Sequence, residues 1–468
     1  MPMLKKNDVI KLEITSITNL GFGVGRYEGL VVFVTDAVTG DEAEVKIIKI
    51  TPSYAVGRVE KMIRFSELRD NSRCQSTTCR SCAYRNVSYA QEKDIKEAEV
   101  KEAFKKAGLP EVEIAKLVGS PSCKNYRNKA QYPISTDKNG DYVIGFYAPK
   151  SHRVTNAVDC PLAPTVFSDI LKTLIKFFKK YSITVYDEKS GRGLLRHVYI
   201  RRGEVSREIL LTLVINGTSI PHCEELTKTV TEKFHDVVGI LLNVNCEDTN
   251  VILGEKFISL YGRDYIYDTL CGVKLKITAP SFYQVNHDAA ELLYNKAREL
   301  AEPQKSDTLL DIYCGAGSIG LSMADSVGEL FGIEIIDSAV LCARENAKNN
   351  GISNAKFYTG DAASTERLLE NAETELGRKI KPTIVVLDPP RTGCDEKLIN
   401  YVAGLAPEKV VYISCNPTTL ARDSAVFKKL GYNCGVVTPF DLFPLTGHVE
   451  SVVCLTRRLD NELRERMN

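Results

Sequence analysis

Cys415 sits in Ser414-Cys415-Asn416-Pro417, and Asp388 opens Asp388-Pro389-Pro390-Arg391; each tetrapeptide ends a short apolar run that reads as a β-strand. A cysteine at the C-terminal lip of a parallel strand stands where open α/β sheets bind their ligands, so its thiolate could add to a carbon held beside a nucleotide cofactor. A single cysteine in a sheet is more often a small buried hydrophobe, so its neighbours decide. The paired prolines after Asp388 give a stiff, donor-poor turn that fixes the carboxylate where it can bond a base edge or a cofactor.

Asp311-Ile312-Tyr313-Cys314-Gly315-Ala316-Gly317 follows another strand and opens a helix, and its glycines let a cofactor approach the backbone. Glu334 ends the next strand, where a carboxylate can accept both hydroxyls of a ribose. The loop lacks the third glycine of a dinucleotide fingerprint and offers no Lys-Ser/Thr pair for phosphates. That favours S-adenosylmethionine over NAD or ATP.

A second set of groups is made of thiols. Cys74, Cys79 and Cys82 are clustered, and Cys160 follows in Asp159-Cys160-Pro161. Four thiolates can satisfy a tetrahedral zinc or the irons of a cubane cluster. The spacing differs from the paired C-x2-C of zinc ribbons, and a distant Cys-Pro is typical of iron-sulfur sites, so the pattern favours a [4Fe-4S] cluster. The chain carries 14 cysteines but begins with no apolar h-region. A reducing, cytoplasmic setting is expected, in which clustered cysteines serve a metal or catalysis rather than a disulfide framework.

At 468 residues the chain should form two to four domains. With 44% hydrophobic and 26% charged residues it has a globular composition without a membrane span. The net charge is only +1, yet cations gather locally. One stretch holds Arg58, Lys61, Arg64, Arg69, Arg73, Arg80 and Arg85, and another Lys189, Arg192, Arg196, Arg201, Arg202 and Arg207. Between them Lys124-Asn125-Tyr126-Arg127-Asn128-Lys129 mixes cations, amides and an aromatic ring, as single-stranded RNA contacts do. The expected partner is therefore RNA, with no membrane, and the expected state a monomer.

These groups must be carried by three domains. Residues 1–62 alternate and are punctuated by glycines, which suits a small OB-like β-barrel. Residues 63–280 read as a mixed α/β central domain whose clearest helix is capped by Ser88 and Gln91 and stopped at Gly108, with Ala90, Ile95, Ala98, Val100, Ala103, Phe104 and Ala107 as its apolar stripe. From 281 to 468 short apolar strands alternate with amphipathic helices, the pattern of a Rossmann-like, doubly wound α/β domain with a parallel sheet. Strands are expected at 308–312, 330–335, 356–359, 383–387, 409–413, 434–438 and 449–455, with helices at 318–324, 337–349 and 418–430.

Five ordered motifs, namely Ser281-Phe282-Tyr283-Gln284-Val285-Asn286, the Asp311–Gly317 loop, Asp388–Arg391, Ser414–Pro417 and Gly447-His448-Val449-Glu450-Ser451, together resemble the RNA uracil-5-methyltransferases. The N-terminal barrel resembles their TRAM domain. The resemblance implies that Cys415 is the nucleophile and Glu450 the general base, and that Gln284, Tyr313, Glu334 and Asp388 hold S-adenosylmethionine. It implies that Cys74, Cys79, Cys82 and Cys160 bind a [4Fe-4S] cluster, although Arg80-Ser81 stands where the family often has two glycines. Phe282 could stack on a flipped base or simply pack. Cluster-bearing members often act on large ribosomal RNA, which puts 23S rRNA ahead of tRNA as the expected substrate. A non-catalytic RNA-binding protein and a redox or radical enzyme are the alternatives; retention of both nucleophile and base argues against the first, and the lack of a flavin or radical-enzyme signature against the second.

Overall fold

The structure is a computed structural model that describes residues 4–458 except 75, 77 and 150. Strict alternation in Val9–Glu13 buries Ile10 and Leu12 and turns the other side chains to solvent. The same rule through Gly23–Tyr27, Leu30–Thr35, Glu42–Ile50 and Tyr54–Arg64 wraps a six-stranded sheet around Val32, Val34, Val45 and Ile47. The N-terminal barrel is thus present.

Strands Lys256–Gly262, Val237–Val244, Ile209–Ile215, Leu195–Arg202, Lys129–Thr136, Tyr142–Tyr147 and Val154–Asn156 lie in that order in a second sheet. Ile209–Ile215 is buried at every position. Both its faces are covered: Leu211 and Leu213 meet the helices Thr165–Lys180 and Cys223–Lys233, while Leu210 meets Ile266 on the far side. A strand covered on both faces reads as a continuous apolar run rather than an alternating one.

The third sheet has the order Ala355–Thr359, Glu329–Glu334, Thr308–Ile312, Ile384–Leu387, Lys409–Ser414, Glu450–Arg457, Tyr432–Cys434, with Thr438–Phe440 also against Glu450–Arg457. The first five strands are parallel. Glu450–Arg457 runs antiparallel to Lys409–Ser414, so the sheet is not wholly parallel as expected. The short connection 441–449 sets Glu450–Arg457 antiparallel to the preceding strand Thr438–Phe440, being too short for the crossover a parallel neighbour needs. The run expected as one strand at 434–438 is two pieces, parted at Gly435, which donates to the Cys454 carbonyl.

Two segments pack outside the domain in which the sequence placed them. The hairpin Tyr265–Leu270/Val273–Thr278 shares a core with the helices of the third sheet through Ile266, Leu275 and Ile277. Helix Tyr89–Lys106, capped by Ser88 as expected, lays Val100 and Phe104 on that sheet's opposite face, beside Leu420 and Phe427. Its buried stripe is Glu92, Lys96, Val100 and Phe104, an i, i+4 row that is ionic in its first half. Lys96 Nζ lies 2.7 Å from both Glu92 and Asp441. Removing one partner of such a buried group costs ~3–5 kcal/mol, far more than a surface pair contributes. Among the described residues no helix is long and apolar enough to cross a membrane.

Candidate active site

Register brings the reactive groups together. Ser414 pairs with Ser451 across the antiparallel strands, so the next residue of one strand, Cys415, meets the preceding residue of the other, Glu450. Asn416 then turns the chain into helix Pro417–Lys429: its side chain accepts from Thr418 N (3.0 Å) and donates to the Arg391 carbonyl (3.0 Å). That bond ties the cysteine loop to the proline loop after Asp388. Proline at the first helical position gives up only an N–H that had no partner there.

A cavity of about 940 Å³ opens at this edge, and Gln284, Tyr313, Glu334, Asp388, Cys415 and Glu450 all line it. Glu334 is oriented by two backbone donors, Gly315 N and Ile336 N, each at 3.0 Å, with lone pairs remaining for a ribose. Gly315 takes φ +55° with open space where a Cβ would stand, so a ligand can reach the loop backbone. Tyr313 holds φ +69°, a strained value for a bulky residue, of the kind that gathers at ligand sites. The cavity therefore suits an adenosyl ligand with a cationic head: the Glu334 carboxylate, with lone pairs to spare, at one side, and the carboxylates of Asp388 and Glu450 at the other.

Those acids are unusual. Burial pushes Glu450 up to about 8, with Asp388 raising it further and Arg391 opposing. Burial likewise raises Asp388 to about 7. The Cys415 thiol is pushed up to about 11 by burial and then by Glu450 and Asp388, while Arg391 favours its thiolate. Burial holds all three groups toward their protonated forms, Asp388 further disfavours ionisation of Glu450, and both carboxylates disfavour the thiolate, so a bound cation would be welcome here. Glu450 and Arg457 stand at opposite ends of their eight-residue strand, too far apart for the carboxylate to be neutralised by Arg457 or by Arg458 beyond it.

Some lining residues escaped the sequence reading. Arg391 donates to His448 Nε2 at 3.4 Å, and His448 meets the Phe443 ring edge-on. Both lie inside motifs singled out for other residues, so their spacing could have found them. Arg127 and Lys129, which the sequence placed in a candidate RNA-contact stretch, also line the cavity, brought there by pairing of Arg127 with Asn286. Phe282 is 69% exposed at the cavity wall, so it stands free for stacking rather than packed in a core.

Cys74, Cys79, Cys82 and Cys160 line a second cavity of about 870 Å³. Cys82 is pushed up to about 12, first by burial and then by the Cys160, Cys74 and Cys79 thiols. Among the described residues no three His, Cys, Asp or Glu side chains lie close enough to hold a single metal ion. A tetrahedral zinc needs four sulfurs at ~2.3 Å from one point. A cubane takes one sulfur at each of four iron corners, a wider spread than a single ion needs.

The basic stretches need correction. Arg69 pairs with buried Asp41 at 2.7 Å, and Arg73 with buried Glu92 at 2.5 Å. Arg196 donates to the Asn245 and Glu247 carbonyls, and Arg201 to that of Ser281. Tyr126 and Asn128 are buried too, the tyrosine donating to the Pro444 carbonyl and the amide to that of Gln284. These groups are taken up by contacts within the fold and cannot form an RNA face. Arg58, Lys61, Arg64, Arg192 and Arg207 do remain exposed.

The family profile described as tRNA (uracil-5-)-methyltransferase matches residues 88–458, and that of the TRAM domain residues 4–59. A Clostridium tetani protein named "uncharacterized RNA methyltransferase" is 38% identical over 455 residues, 97% of each chain. A relative of the same description from Oceanobacillus iheyensis is 35% identical over 98% of this chain and 99% of its own. The crystal structure of Pyrococcus abyssi tRNA (uracil-54, C5)-methyltransferase in complex with S-adenosyl-L-homocysteine superimposes with TM-score 0.75 at 25% identity, covering 96% of this chain and 100% of that one.

Proposed function

The chain belongs to the tRNA (uracil-5-)-methyltransferase family, and from that premise we propose that it methylates C5 of a specific uridine in RNA through a covalent adduct between Cys415 and C6 of the base. The observation that carries this reading is the placement of Cys415 against Glu450 in the cavity that Glu334, Tyr313, Gln284 and Asp388 also line. S-adenosylmethionine supplies an electrophilic methyl group on a sulfonium. Uracil C5 is too weak a nucleophile to take it directly. Cys415 Sγ therefore bonds to C6, and the displaced π electrons make C5 an enolate carbon that accepts the methyl group. Glu450 then takes the proton from C5; the C5–C6 double bond re-forms and Cys415 leaves with its electron pair. Arg391 favours the thiolate at both ends of the cycle. Phe282 offers a face to the extruded base, and Arg127 and Lys129 a cationic wall to its backbone.

Glu450 must be ionised to act. Since its carboxyl is raised to about 8, the rate of adduct breakdown in a single turnover should rise with pH through about 8. That limb should vanish in Glu450→Gln; a flat profile in the native enzyme would assign the base elsewhere.

Cys74, Cys79, Cys82 and Cys160 are proposed to hold a [4Fe-4S] cluster, which would pin the 74–82 loop to Cys160. Protein purified without oxygen should be brown and contain iron and sulfide. Cys79→Ser should lower solubility and RNA affinity more than cofactor affinity, measured by filter binding and calorimetry. Stoichiometric zinc without iron would overturn the cluster.

The four-cysteine site supports 23S rRNA as the substrate. The Pyrococcus neighbour acts on tRNA, which keeps tRNA as the second reading. Mapping 5-methyluridine in both RNAs from a strain lacking the gene decides: loss from 23S rRNA alone supports the first, loss from tRNA alone the second.

A further inference from the structure

One strap of chain serves both cavities. Leu445 and Thr446 line the cysteine cavity, whereas Phe443, His448 and Glu450 line the reaction cavity. Leu445 packs with Tyr126 and Leu162 against Cys82 and Cys160. It is also held at φ +72°, a left-handed value that a branched side chain avoids.

Both polar backbone groups of that strained residue are clamped. Its N–H donates to Glu92 Oε1 at 2.8 Å, and its carbonyl accepts from Tyr84 N at 2.9 Å. Tyr84 lies two residues past Cys82, and Arg73, next to Cys74, reaches the other Glu92 oxygen at 2.5 Å. From Glu92 the contacts continue through Lys96 Nζ at 2.7 Å to Asp441 at 2.7 Å, and Lys96 also donates to the Phe443 carbonyl at 3.2 Å. Glu92, Lys96 and Asp441 are fully buried, so little solvent weakens these contacts.

We propose that the buried chain Arg73–Glu92–Lys96–Asp441 makes the placement of His448 and Glu450 depend on the order of the four-cysteine loop, with Arg73 and Lys96 as positioning residues for the base. The inference rests on the reading of Glu450 as base for its catalytic consequence, but not for the coupling itself. When the loop loosens, Glu92 loses Arg73 and is left with Lys96 and the Leu445 N–H, the hold on strained Leu445 weakens, and the strap that ends in Glu450 shifts.

Hydrogen-deuterium exchange on the full chain tests the coupling without RNA or methyl donor. Cys79→Ser should speed exchange across 73–84 and also across 441–450, while strand Thr308–Ile312 stays protected. If that variant fails to fold, Arg73→Gln opens the same link without touching a thiol and should give the same pattern. In a Lys96→Met/Asp441→Asn background, which removes the ion pair without leaving a lone charge, 441–446 should already exchange faster, and adding Arg73→Gln together with Glu92→Gln, which again strands no charge, should bring less than the sum of the separate effects. Exchange confined to 73–84, or strictly additive effects, would overturn the proposal. With RNA, Arg73→Gln should accumulate methylated adduct while the adduct's formation slows by no more than about threefold, because only the later step uses Glu450. Equal slowing of both steps would mean a structural role alone. If native enzyme forms no adduct at all, the chemistry of Cys415 fails and the exchange result still stands.

Discussion

Replacing Cys415 with alanine should abolish methylation, by at least ~10⁴-fold or ~5 kcal/mol of barrier, while leaving S-adenosylmethionine binding nearly unchanged. The separation of effects follows from the geometry. The residues proposed to hold the cofactor, Glu334, Tyr313 and Gln284, are placed by other strands and loops, and the loop around Cys415 is held by Asn416 and Ser414 rather than by the thiol. Alanine removes the sulfur and keeps the turn. Single-turnover assays with labelled methyl donor measure the loss, and calorimetry the unchanged binding. Turnover near the native rate would end the covalent scheme.

Glu450→Gln should fail at a different point. The amide keeps the size and burial of the side chain, so Cys415 can add and the methyl group can transfer. No acceptor then remains for the C5 proton, and methylated protein-RNA adduct should accumulate as turnover falls by roughly 10²–10⁴-fold. Removing a nearby acid should also ease ionisation of the thiol, since Glu450 raises Cys415. Adduct formation should therefore be no slower than in the native enzyme. Complete loss of adduct in this variant would make Glu450 a positioning group and move the proton to another acceptor.

The candidate residues for this chemistry could be placed from the sequence because they lie at strand ends, where a local pattern of apolar run, turn and helix start is enough to locate them. Asp388, Cys415 and the Asp311–Gly317 loop all belong to that class. What local pattern could not give was long-range pairing. Arg127 and Lys129 reach the reaction cavity only because Arg127 bridges to Asn286 and Lys129 pairs with Arg201 on a neighbouring strand. Glu92 and Lys96 read as the solvent side of an amphipathic helix. They are buried because Asp441 and Arg73, distant in sequence, complete their charge balance. The hairpin Tyr265–Thr278 alternates like any half-buried pair of strands, and nothing in its own residues says which core its apolar face will join. The same blindness made Arg69, Arg73, Arg196 and Arg201 look like an RNA surface, since composition counts cations without their partners.

The most direct measurement is to incubate the native enzyme, saturated with S-adenosylmethionine, with RNA bearing 5-fluorouridine at the target, and to sequence the RNA-linked peptide by mass spectrometry. Fluorine cannot leave C5 as a proton does, so the account predicts a stable, methylated adduct attached through Cys415. An active enzyme that forms no adduct, or one linked through a different residue, would contradict it.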